Sequence, residues 1–269
     1  MKPLSHMAND VLHTADGRAK TALSRSYAAQ WQAARAKGET PEIGTATPPM
    51  QPARPKEPAL LDPRDVPRRK PGSEQGRNAI LHAVAHIELN AVDLHWDIIA
   101  RFTDTPMPIG FYDDWVKSAD EESKHFNLMC DCLEAHGSHY GALPAHAGMW
   151  RAAEDTADDI LGRLAVVPMV LEARGLDVTP GMIKIFQQAK DQKAIDALNI
   201  IYAEEVHHVA YGSKWFHFLC GRDGLDPTPV FHKLVRQYFH STLKPPFNEE
   251  KRAEAGIPPD FYWPLSESK

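Results

Sequence analysis

Beyond Asn78, apolar side chains recur every three or four residues through AILHAVAHIELNAVDLHWDIIARF, with no internal glycine or proline. That period predicts a long amphipathic helix, ended by the turn TDTPMPIG. FYDDWVKSADEESKHFNLMCDCLEAHG predicts a second, closed by Gly137 just past its last turn. GMWRAAEDTADDILGRLAVVPMVLEARG predicts a third, kinked at Pro168. Gly175 and Pro180 are expected to interrupt its continuation, leaving TPGMIKIFQQAK as a short separate helix. DQKAIDALNIIYAEEVHHVAYGSKWFHFLCG is the fourth long helix and PTPVFHKLVRQYFHSTL a shorter one. KPPFNEEKRAEAGIPPDFYWPL reads as a largely irregular tail. No stretch alternates convincingly as a strand would, so the class is all-α, and four long helices suggest a bundle core.

Ahead of the bundle, residues 7–37 predict one helix ending at Gly38, with basic residues in its last turns. The proline-crowded stretch TPEIGTATPPMQPARPKEPALLDPRDVPRRKPGS cannot continue it, because proline lacks the amide donor. We read this stretch as an extended strap anchored by Met50, Leu60, Leu61 and Val66. The expected organisation is an N-terminal helix and strap over 1–75, the four-helix bundle over 76–222, and a C-terminal helix and tail over 223–269.

Carboxylates sit where this pattern calls for apolar residues. Glu88 lies in AHIELNAV and Glu172 in VPMVLEARG, while EESKH and EEVHH each carry Glu-x-x-His. Residues i and i+3 share a helical face, so each Glu-x-x-His can offer one oxygen and one nitrogen to one metal. The order Glu88, Glu122-x-x-His125, Glu172, Glu205-x-x-His208 is that of di-iron carboxylate bundles. Four carboxylates balance two divalent cations, and neutral imidazoles complete the protein ligands. Antiparallel packing of the first two helices would bring Glu88 and Glu122 to nearly the same height. Glu121 can replace Glu122, and Glu204 with His207 is a second frame for the later motif. Nearby apolar side chains favour Glu122, His125, Glu205 and His208.

His95, seven residues after Glu88, reads as a core histidine or a partner behind the ligands. Tyr202, one turn before Glu205, could bond a ligand carboxylate. His82 and His86 lie off the Glu88 face and read as packing or hydrogen-bonding groups. The three cysteines, Cys130, Cys132 and Cys220, form no CxxC, so the expected compartment is a reducing cytoplasm. No run reaches the roughly 18 apolar residues of a membrane span. Charge is uneven: residues 1–80 carry +5 and the remainder −11, for a net −6. The basic arm is expected to clasp its own body rather than recruit an anionic partner, and the acidic body argues against nucleic acid.

Through EESKH and EEVHH the chain resembles the ferritin-like superfamily. More closely, through RNAILHAVAHIELNAVDLHWD, VPMVLEARGLDVTPGMI, PPMQPARPKEP and LKPPFN, it is similar to an uncharacterised bacterial ferritin-like family of unknown function (DUF455). The resemblance implies a ferritin-like four-helix core with Glu88, Glu122, His125, Glu172, Glu205 and His208 as metal ligands. It implies two iron ions, with manganese or a mixed manganese–iron pair able to use the same ligands. The expected function is an O2-activating oxidase or monooxygenase of a small organic substrate, served by an electron-donor protein and conceivably dimeric. The alternatives are a ferroxidase or storage protein, a relative of the ferritin-like tRNA hydroxylases acting on RNA, and a non-catalytic metal-stabilised bundle.

Overall fold

The computed structural model describes residues 1–62, 64–67 and 69–266. It is all-α, with two compact units: Met1–Trp150 with Asp191–Ala197, and Arg151–Lys190 with Leu198–Lys269. Among the described residues, no helix is long and apolar enough to cross a membrane.

In the first unit the N-terminal helix is two helices, α1 (Leu4–Leu12) and α2 (Gly17–Ala36), not one over 7–37. The break falls at HTAD because Asp16 adopts extended backbone and its carboxylate accepts from the Ala19 amide at 2.8 Å, capping α2. Ser73 likewise caps α3 (Glu74–Arg101), and α4 (Ile109–Ala135) follows. Gly137, at φ +68°, closes α4: its amide and that of Ser138 donate to the carbonyls of Glu134 and Leu133. His136 meets Asn78 at 2.6 Å and His125 meets Glu88 at 3.3 Å, so residue numbers fall on one helix as they rise on the other. The two helices are antiparallel. From Glu88 to Ala100 every residue of α3 is buried, since α1, α2 and α4 all pack on it.

Basic residues of α2 do clasp the same unit. Arg18 pairs with Asp131, Arg25 with Asp120 and Arg35 with Asp113, all acids of α4. The described strap residues lie along the body, but not through the expected anchors: Met50, Leu60 and Leu61 are exposed and Val66 only half-buried. Backbone groups hold it instead. Carbonyls of Pro49, Met50 and Ala53 accept from Arg101, Trp150 and Lys20, and the Ala53 amide donates to Leu12. Proline-rich chain carries few amides but keeps every carbonyl, so donors on the body suit it. Two residues, β1 (Leu60–Leu61), pair in parallel with β2 (Ala145–His146).

In the second unit the expected single third helix is interrupted. α5 (Gly148–Asp155), which begins in the first unit, stops; α6 (Ile160–Val166) restarts where Asp159 accepts from the Gly162 amide at 2.9 Å. The buried Arg163 closes the gap by donating to Thr156 Oγ1 and the Ala153 carbonyl. Val167–Glu172 is a π-helix containing Pro168, and α7 (Ala173–Ala189) continues from it. Gly175 and Pro180 therefore do not end this helix. Pro180 cannot donate to the carbonyl of Leu176, and Asn248 Nδ2 donates to it instead at 3.2 Å. α8 (Gln192–Arg222) passes close to the π segment at Gly212, where an added Cβ would sit 2.4 Å from Pro168. α9 (Pro227–Tyr238), α10 (Glu249–Glu254) and α11 (Pro259–Tyr262) follow. The tail is thus less irregular than expected. It docks through Arg252, which pairs with Asp177 at 2.7 Å and lies over the adjacent rings of Phe247 and Tyr262.

Candidate metal site

In the first unit, α3 contributes Glu88 and α4 contributes Glu122 and His125, all buried. His125 Nδ1 lies 3.3 Å from Glu88 Oε2 and 3.3 Å from Glu122 Oε2. The three side chains each offer a ligand atom within 4.8 Å of the others, a buried grouping that could hold a metal ion. Burial, with the Glu122 carboxylate beside it, pushes Glu88 up to about 8.

In the second unit, Glu205 and His208 stand one turn apart on α8, with His208 Nδ1 3.9 Å from Glu205 Oε2. Both are buried, as is Glu172 at the end of the π segment. Burial also separates the two frames. Glu204 is half-buried and His207 exposed, while Glu121 is half-buried and faces Lys117 at 3.8 Å. That is the frame the neighbouring apolar side chains of EEVHH and EESKH favour in the sequence.

The other histidines, Tyr202 and the cysteines have the following surroundings. The Tyr202 hydroxyl accepts from Asn248 at 2.7 Å. His95 is buried against the Trp115 ring, with centroids 5.1 Å apart. His86 Nε2 donates to the His146 carbonyl at 3.1 Å, which leaves Nδ1 to accept from the Tyr140 hydroxyl at 2.8 Å. His82 Nε2 accepts from the Gly141 amide at 2.9 Å. Burial holds both histidines neutral, lowered to about 4. Cys130 and Cys132 are buried thiols pushed up to about 12 and 11 by burial, so neither is a ready thiolate.

One buried charged pair lies outside the candidates that the sequence offers. Lys20 and Asp93 form an ion pair in which each side chain is 1% exposed. Asp93 lies in the same apolar run as Glu88, which was the available signal. Lys20 gives none, because a lysine in a basic arm looks like surface.

A family model described as "Protein of unknown function (DUF455)" matches residues 13–263. An uncharacterized protein of Haemophilus influenzae is 42% identical over 208 residues, covering 76% of this chain and 72% of that one. No solved structure matches.

Proposed function

The chain belongs to the DUF455 family, and since membership brings no activity with it, we propose a function from the chemistry of the buried carboxylates and imidazoles. The protein is a dinuclear metal protein with a ferritin-like four-helix core. Glu88, Glu122 and His125 form one half of its centre, and Glu172, Glu205 and His208 the other. It is an oxidoreductase that uses O2 on an organic substrate.

The observation that carries this reading is the first half-site. Two carboxylates and an imidazole are expensive to bury together unless something compensates their charge. A divalent cation does so, and the raised Glu88 marks how poorly the protein alone accommodates the second negative charge. The donor set is oxygen-rich with one imidazole per half, which suits iron or manganese better than soft-ligand metals. Iron held this way would supply the redox capacity to reduce O2. For Glu88 to serve it must lose its proton, and His125 must be neutral, so loading releases protons and strengthens with rising pH. The π segment that ends at Glu172 supports the second half, because such bulges recur at functional sites.

The test is metal content after anaerobic loading with Fe(II), followed by O2 uptake. Two irons per chain and rapid O2 consumption are expected, with at least one iron and the O2 consumption lost in Glu122→Ala and in Glu205→Ala. Metal binding without O2 uptake would leave a metal-stabilised bundle. Metal content indifferent to both substitutions would overturn the reading.

A further inference from the structure

Away from the proposed metal ligands, the strap roofs a half-open cavity of about 180 Å³ in the first unit. Its walls include Lys20 of α2, His86 and Asp93 of α3, Arg54 and Lys56 of the strap, and Tyr140. We propose that this cavity is a binding site for a phosphoryl group, gripped by Arg54 and Lys56.

The charges decide the class of ligand. Lys20 is spent on Asp93, its buried ion-pair partner, and on the Ala53 carbonyl at 3.0 Å. Asp93 is the acidic group lining the cavity among the described residues. Arg54 and Lys56 are therefore left as an excess of two positive charges. Arg54 Nη2 is buried and meets no hydrogen-bond acceptor among the described residues. Its guanidinium carbon stands 5.9 Å from the centroid of the Trp150 ring, which supplies no lone pair. Buried donors are almost always satisfied, and a guanidinium N–H that lines a cavity calls for an acceptor inside it. A phosphoryl group carries nearly two negative charges and three strong acceptor oxygens, matching both the excess and the fork of Arg54.

His86 and Tyr140 do not compete for this role. The tyrosine hydroxyl donates to His86 Nδ1, and the neutral imidazole is fixed by the His146 carbonyl. They form a rigid wall. The roof is equally fixed, since Ala53 is bonded through both its amide and its carbonyl, which places Arg54 without freezing its side chain. The site thus joins strap, α2 and α3 within one unit.

Isothermal titration calorimetry on the full chain tests this, with inorganic phosphate, an alkyl phosphate and acetate as probes at matched ionic strength. Both phosphates should bind saturably and acetate should not. A tighter alkyl phosphate would show that the group arrives on a larger ligand, and a tighter inorganic phosphate that the free ion is the occupant. Arg54→Gln should weaken phosphate at least tenfold and Lys56→Gln severalfold, while Arg25→Gln, remote from the cavity, should change nothing. Circular dichroism melts of the same variants establish that they fold. Absence of saturable phosphate binding would overturn the proposal, as would acetate binding as well as phosphate. Phosphate affinity unchanged in a folded Arg54→Gln protein would also overturn it, since binding at a metal ion would show that insensitivity.

Discussion

The two units carry comparable residues on differently built scaffolds. Glu88, Glu122 and His125 stand on α3 and α4, α-helices of 28 and 27 residues with no interruption. Glu172 instead ends a π-helix between two α segments, and the helix that follows contains Pro180. An uninterrupted helix places i and i+3 on one face for no further cost. A broken one must satisfy its stray carbonyls with side chains, and in this protein Asn248 and Arg163 supply them. Regular helix positions Glu88, Glu122 and His125, as it does Glu205 and His208 on α8, and it is Glu172 alone that stands on the interrupted segment.

The sharpest way to break that comparison is to remove a ligand from each half. Glu122→Ala and Glu172→Ala should each empty their own half of the proposed centre, lowering bound metal by at least one ion per chain in elemental analysis. If Glu172→Ala leaves the metal content intact while Glu122→Ala abolishes it, the halves are not equivalent and the π segment has another purpose. Metal uptake should also rise with pH through about 8, where the raised Glu88 gives up its proton. A flat profile would show that Glu88 is already ionised across that range.

These elements were unevenly legible. AILHAVAHIELNAVDLHWD announces α3 because its period is unbroken, and acids inside such a run are conspicuous without a structure. Pro180 misleads because proline ordinarily removes a bond that the helix needs. What rescues it is Asn248, 68 positions away in sequence, and no local pattern reports that. The HTAD break in the N-terminal helix is different. Asp16 before Gly17 is a cap signal within the span 7–37, and the single helix expected there leaves it out. The strap's anchors are not legible because backbone carbonyls hold it, and those are the same at every residue. The apolar stripe around EEVHH favours Glu205 and His208 over Glu204 and His207, and burial follows the same division.

A second, smaller effect concerns how the first unit tolerates polar groups. Lys20→Ala would leave Asp93 charged and buried without its partner, and should cost about 3–5 kcal/mol in urea unfolding. Arg25→Ala, at the exposed pair with Asp120, should cost no more than about 1 kcal/mol. Comparable losses would mean that Lys20 is not truly enclosed.

The histidines of the same unit give a pH signature. His82 and His86 are held neutral with values near 4, below the ordinary 6.5 they recover on unfolding. Between those values the unfolded chain binds more protons than the folded one, so their contribution is complete above about pH 6.5 and fades as pH falls through 4. Unfolding of the wild type compared with His86→Gln isolates the effect: the gap should widen from pH 4 to 6.5 and then level off. A gap independent of pH would show that His86 titrates normally in the fold.

The smallest expected effect tests polar repair itself. Asn248→Ala removes the donor to the Leu176 carbonyl, the donor to Tyr202 and the side-chain cap of α10. It should destabilise by about 1–3 kcal/mol. Pro180→Ala restores an amide that can reach the same Leu176 carbonyl from within the helix, so the carbonyl then has two candidate donors. The double substitution should therefore cost less than Asn248→Ala does alone, with a coupling of about 1 kcal/mol between positions. That coupling is the number that matters. Strict additivity would mean that Asn248 acts only through the tail, and that α7 accommodates Pro180 by some means other than this hydrogen bond.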